Sequence, residues 1–139
     1  MLTVETYLAQ SPTHGIGIFA AEDIARGEVV WVYNPVIDRT FSPDEWLGLE
    51  RQVSPACFAM IARYTYKQDG QFVLCADNSQ FMNHAEVANV GSLDNLDVMV
   101  ALVDIARDEE LLCDYREYSD PDDHHRLWLD RQLRRRSAV

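Results

Sequence analysis

The stretch FMNHAEVANVG, Phe81 to Gly91, sets two side-chain amides and a histidine among apolar neighbours. Asn83, His84 and Asn89 can be tolerated in a strand or core segment only if each finds a partner. A buried polar group left unpaired costs on the order of 1–3 kcal/mol. The spacing is not that of a metal site. The cysteines are not paired, and one histidine with no carboxylate at helical spacing makes a poor zinc or iron set. Two readings stay open on these residues alone: amides that satisfy backbone groups in a buried loop, or a segment that holds a ligand.

Working outward, the chain has 139 residues, 47% of them hydrophobic and 10% aromatic. That is the make-up of one folded domain, 1–139, with a single core. MLTVETYLAQSPTHG has neither the basic start nor the apolar run of a secretory signal. The longest apolar run, Val98 to Val103, is far too short to cross a bilayer. Cys57, Cys75 and Cys113 are odd in number and widely spaced, which argues against a disulfide framework and a zinc cluster. The expectation is a soluble, cytoplasmic protein with no metal and no membrane contact.

Net charge is −11, from 12 basic and 23 acidic side chains. Five of the cations are arginines among the last 14 residues (Arg126, Arg131, Arg134, Arg135 and Arg136), beside one acid, Asp130. The first 125 residues hold seven cations against 22 acids, a net −15. Such a body repels a phosphate backbone, so direct nucleic-acid binding is not expected apart from the arginine-rich tail; the acidic surface either attracts a basic peptide or simply keeps the protein soluble. Lys67 is the only lysine.

No repeat or linker stands out, and short strands outnumber helices. GIGIFA and EVVWVY read as strands, with AEDIARGE as a turn-rich link between them. SPDEWLGLERQ opens with Ser42 as N-cap, Pro43 in the first turn and Glu45 three residues on, a capping box. SPACFAMIARY repeats the Ser-Pro entry. YTYKQDGQFVLC reads as a hairpin turning at Asp69-Gly70, and NVGSLDNLDVMVALVDI as another near Asp94-Asn95. DPDDHHRLWLDRQLRRR reads as a C-terminal helix with Asp120 as N-cap, acids in its first turn and arginines in its last, where Arg134 to Arg136 fray. The fold is therefore expected to be mainly β (α+β), without βαβ alternation.

Three stretches carry unusual residues in order: HGIGIFA (His14 to Ala20), FMNHAEVANVG, and DEELLCDYREY (Asp108 to Tyr118). Together they resemble the SET-domain protein lysine methyltransferases. Gly15-Ile16-Gly17 stands where that family has its Gly-x-Gly strand, and Asn83-His84 with Asn89 where it has Asn-His-Ser and a following Pro-Asn. Glu109-Glu110-Leu111 and Asp114-Tyr115 match its last motif, and IARGEVV and DIARDEELLCDY look like the segments that lead into family strands. The likeness covers roughly residues 3–118, leaving 120–136 as a helical closing segment. Ala85 replaces the usual Ser or Cys, Ala88 replaces the proline, and the zinc-binding cysteine clusters of larger members are absent.

The resemblance implies a β-clip fold of short strands in small sheets, with a knot-like C-terminal segment and a few short helices. It implies S-adenosylmethionine as cofactor, S-adenosylhomocysteine as product and no metal. Gly15, Ile16, Gly17, Asn83, His84 and Tyr115 would hold the cofactor, with Trp128 against the adenine. The other reading of Trp128 is core packing with Leu127 and Leu133. Tyr115 would orient the target amine, and Tyr118, Phe81 and Tyr64 or Tyr66 would wall the lysine channel; alternation along one strand puts both tyrosines on one face. The position that tunes methyl number falls near Val100.

The implied substrate is a lysine-containing basic protein or peptide, of histone, histone-like or ribosomal type, met by the domain alone or as a homodimer. The competing reading is a non-catalytic interaction module on the same fold. DDHH, Asp122 to His125, cannot converge on one ion, since neighbouring helical residues point about 100° apart.

Overall fold

A computed structural model describes residues 1–137 of the chain, so the last two residues of the expected 1–139 domain lie outside the described residues. Ten short strands, four α-helices and one 3-10 helix (Asn78–Phe81) are present among them. β1 (Thr6–Gln10) and β2 (Ile16–Ala20) form an antiparallel ribbon in which Thr6 faces Ala20 and Gln10 faces Ile16. β3 (Val29–Val32), β9 (Val98–Ala101) and β8 (Val90–Gly91) form a second sheet in the order β3-β9-β8. β4 (Arg39–Phe41), β6 (Gln71–Leu74) and β5 (Thr65–Gln68) form a third, in the order β4-β6-β5. β7 (Asn83–His84) pairs in parallel with β10 (Leu112–Cys113). These are the short strands in small sheets that the resemblance implies.

Local chemistry sets the elements. α1 (Pro43–Gln52) carries the full capping box: the Glu45 amide donates to Ser42 Oγ at 3.2 Å and the Ser42 amide to Glu45 Oε2 at 2.7 Å. α2 (Pro55–Arg63) is capped by Ser54 in the same way at one end. Both lie on the β4-β6-β5 sheet through Trp46, which stacks on Phe72 at 4.7 Å and meets Phe58 at 5.0 Å and Phe41 at 5.7 Å. The β5–β6 hairpin turns at Asp69 and Gly70, both at positive φ (50° and 74°), as the two-residue turn that matches strand twist requires. Tyr64 is the residue that ends α2 rather than part of β5. It and Tyr66 are therefore placed by different elements, not by alternation along one strand.

A short repeat exists after all. Asp23-Ile24-Ala25-Arg26-Gly27-Glu28 and Asp104-Ile105-Ala106-Arg107-Asp108-Glu109 make twin turns that clasp one another. Ile24 and Ile105 exchange both backbone hydrogen bonds at 2.8 Å, the Arg26 amide donates to Asp104 and the Arg107 amide to Asp23. Gly27 (φ 86°) and Asp108 (φ 70°) fill the equivalent left-handed position. One substitution in six residues hid the pattern.

The main core gathers Ile18, Ile24, Val30, Val90, Ile105 and Leu111. The C-terminal strand segment crosses it pinned on both edges, which is the knot-like passage. Ala20 and Ile18 of β2 hydrogen-bond Glu109 and Leu111 on one side, and β7 takes Leu112 and Cys113 on the other. Asn89 straddles the segment: its Nδ2 donates to the Glu110 carbonyl and its Oδ1 accepts the Leu112 amide, each at 2.8 Å. α3 (Tyr115–Tyr118) follows at once, with Asp114 as its cap.

The last helix differs from expectation at both ends. α4 spans His124–Ser137, so the acids at 120–123 precede it and the helix runs on through Arg134 to Arg136. Asp120 is not its cap, because its carboxylate accepts the Asp69 and Gly70 amides of the hairpin turn, each at 2.9 Å. Asp123 does the capping, accepting the His125 amide at 2.9 Å. Among the described residues no helix is long and apolar enough to cross a membrane.

Candidate functional site

A cleft of about 1410 Å³ opens between the β1–β2 turn, the β7 region, α2–β5, α3 and α4. One wall is the turn His14-Gly15-Ile16, and Gly15 sits there at φ 52° with no atom within 4 Å of where a Cβ would be. Gly17 lies just behind the wall for a different reason. A Cβ on it would come 2.2 Å from Glu110 Oε1. That carboxylate takes Ser11 Oγ on one oxygen and Asn83 Nδ2 on the other, both at 2.9 Å. Glu110 is thus the peg that holds the loop, and the close neighbour of Gly17 is this side chain.

Asn83 is buried and closes the same knot. Its Nδ2 also meets the carbonyls of His14 at 2.9 Å and Ile16 at 3.1 Å. Three acceptors around one nitrogen fix the orientation of the amide, and Oδ1 carries no hydrogen bond among the described residues. The two asparagines of the opening stretch therefore divide: Asn89 is spent on backbone, and Asn83 retains an acceptor beside the cleft.

His84 accepts the Tyr115 amide on Nδ1 at 3.2 Å. Burial holds its imidazole below the ordinary value against the opposing pull of Asp114, whose carboxylate is engaged by Arg116 at 2.9 Å. The ring is thus neutral at pH 7, with its proton on Nε2. Tyr115 donates its hydroxyl to the Met82 carbonyl at 2.9 Å, and burial pushes its phenol well above the ordinary value. It is a fixed, neutral hydroxyl and not a base.

The opposite wall is aromatic. Tyr64 lies 5.2 Å from Phe81, Tyr66 lies 4.8 Å from Tyr118 edge-on, and Tyr118 lies 6.1 Å from Tyr115. Burial raises the Tyr66 and Tyr118 phenols too, so both of these rings stay uncharged. At the far rim Trp128 of α4 is 48% exposed and tilts against His14 at 5.8 Å, while Leu127 and Leu133 are 41% and 39% exposed. None of these three is buried. The buried residue of that stretch is Leu129.

The structure thus brings together Tyr64, Tyr66, Phe81, Tyr115, Tyr118 and Trp128 with the His14–Ile16 turn, Asn83 and His84 around one space. Val100 is not part of it. Period-two alternation in β9 turns its neighbour Met99 to the cleft instead. Sequence reasoning also missed His125, whose ring stands 5.7 Å from Tyr115, and the peg Glu110. Glu110 was visible only as a letter of the third motif.

The SET domain family model matches residues 15–116, and the chain belongs to the SET-domain family. A chain of the Chaetomium thermophilum polycomb repressive complex 2, solved in complex with H3K27me3, is 28% identical with a TM-score of 0.59, over 81% of this chain and 14% of that one. A second structure of that complex, autoinhibited and bound to S-adenosylmethionine, is 24% identical with a TM-score of 0.61, over 94% and 17%. A candidate histone methyltransferase of Plasmodium falciparum is 18% identical with a TM-score of 0.54, over 82% and 95%. The chain thus spans less than a fifth of the polycomb chains it matches. No curated protein sequence matches it significantly.

Proposed function

We propose that the protein transfers methyl groups from S-adenosylmethionine to lysine side chains of a basic protein or peptide, with the described domain as the catalytic unit. One observation carries the reading: Tyr115 stands where the open-backbone wall of His14–Ile16 and Asn83–His84 meets the aromatic wall. The bound structures of family members named above, with S-adenosylmethionine and H3K27me3, support the choice of ligands.

The residues present fit the cofactor. The cleft exceeds the ~300–1,000 Å³ of ordinary ligand pockets, leaving room for a nucleoside and a separate lysine chain. The Gly15 turn presents open backbone, Asn83 Oδ1 is free to accept, and the exposed face of Trp128 suits stacking on an adenine. S-adenosylmethionine, when bound, supplies an electrophilic methyl group on a sulfonium.

Transfer to an amine is an in-line displacement, so position and electrostatics matter more than a strong base. Tyr115, whose hydroxyl donates its hydrogen bond to the Met82 carbonyl, has oxygen lone pairs that accept from the target amine and aim the nitrogen lone pair. The aromatic wall binds the amine while excluding water, which lowers a lysine pKa of ~10.4 towards neutrality. Its ring faces then favour the methylated cation. The acidic body draws in a basic peptide.

Calorimetric titration with S-adenosylmethionine and S-adenosylhomocysteine tests the reading. Saturable binding of both, weakened at least tenfold in Trp128→Ala, is expected. A folded protein that binds neither would point to the non-catalytic interaction module.

A further inference from the structure

The closing helix α4 has little apolar hold on the domain. Leu129 is its one buried hydrophobic among the described residues. Something else must seat it over the cleft, and the preceding turn Ser119–Asp123 makes an unusual set of polar ties to one hairpin. The Asp120 carboxylate takes the Asp69 and Gly70 amides, and the Asp120 amide donates to the Lys67 carbonyl at 2.7 Å. Asp122 pairs with the Lys67 ammonium. Asp123, only 2% exposed, gives one oxygen to the Lys67 amide at 2.6 Å and the other to the His125 and Arg126 amides at 2.9 and 3.3 Å.

The turn also fixes what lies beyond it. Arg126 Nη1 donates to the Ser119 carbonyl at 3.0 Å and the Arg116 carbonyl at 3.4 Å, tying α4 to the helix that carries Tyr115. The backbone at Arg63 and Thr65 faces the His125 ring. So the first turn of α4 is tied through its cap Asp123 to β5 and through Arg126 to α3.

We infer that Ser119–Asp123 is a latch that seats α4 on the β5–β6 hairpin, with Asp123 as a positioning residue that acts through His125 and Trp128 on both walls of the cleft. A charged carboxylate accepting several amides in a site closed to water is stronger than an ordinary helix cap. It does for this chain, through polar ties, what a buried apolar face does for most terminal helices. The latch deepens the methyltransferase reading but its test does not depend on that reading.

Hydrogen exchange by mass spectrometry on the protein alone separates the latch from a plain cap. Asp123→Ser keeps a side-chain oxygen for the helix amides but cannot also reach Lys67. A latch predicts at least tenfold faster exchange in residues 124–130 and in 65–70 for Asp123→Ser and Asp123→Ala alike. Asp120→Ala, in which α4 keeps its own cap, should also speed exchange in 124–130. Leu129→Ala should loosen α4 while leaving 65–70 as in the wild type. Wild-type exchange in Asp123→Ser, or an effect of Asp120→Ala confined to 68–71, would overturn the proposal.

Discussion

The Glu110 peg gives the sharpest quantitative prediction. In Gly17→Ala the new Cβ would lie 2.2 Å from Glu110 Oε1 and 3.0 Å from Ser11 Cβ, so the carboxylate must leave. It then gives up its bonds to Ser11 Oγ and Asn83 Nδ2. Hydrogen bonds to a charged group contribute about 1.5–3 kcal/mol each, and these part-buried ones belong at the low end. The loss is therefore about 3 kcal/mol, and Glu110→Ala should lose the same two bonds and about the same amount. The double variant has no carboxylate left to displace, so it should also lose about 3 kcal/mol rather than about 6 kcal/mol. Urea unfolding of the four proteins gives the coupling directly, provided the urea slopes agree. Additive losses would refute the peg, since they would mean that alanine at 17 disturbs something other than Glu110.

Other outcomes follow from the same contacts. Asn89→Ala strands the Glu110 carbonyl and the Leu112 amide in the knot-like passage, and chemical denaturation should show a loss of about 2–4 kcal/mol. Gly27→Asp should cost under about 1 kcal/mol, because its twin Asp108 already adopts that backbone, whereas the β-branched Gly27→Val should cost clearly more; parallel thermal melts decide this. His84 and His125 are both held below the ordinary imidazole value of 6.5, chiefly by burial, so the unfolded chain binds protons first as pH falls. Their stabilisation is complete above about pH 6.5 and declines as pH drops towards their folded values, and urea midpoints from pH 8 to 5 should fall in that window, less so in His84→Gln.

Much of the local structure could be read because local chemistry decides it. Ser42 with Glu45 caps α1, and Asp69-Gly70 turns the hairpin, within four residues and without help from the rest of the chain. The cleft was legible through its order of motifs, which placed Gly15, Asn83 and Tyr115 near one another before any contact could be argued. What escaped depends on partners far along the chain. Asp120 looked like a helix cap, but the turn at Asp69 and Gly70 uses its carboxylate. β7 and β10 are two-residue strands whose pairing joins positions 29 apart, Asn83 with Leu112, too short for any periodicity to announce. Val100 itself does not line the cleft while its neighbour Met99 does, since one residue along a strand is enough to change the face.

The central claim is that the Tyr115 hydroxyl serves methyl transfer, whatever its ring does for the cofactor, and labelled methyl transfer to a lysine-rich basic peptide tests it most directly. Wild type should label lysine, and Tyr115→Phe should lose at least about 100-fold in kcat, within the range for a positioned catalytic group. Calorimetric affinity of that variant for S-adenosylhomocysteine should stay within about threefold, or ~0.7 kcal/mol, of wild type. Undiminished transfer by Tyr115→Phe, or no transfer by a wild-type protein that binds the cofactor, would contradict the account.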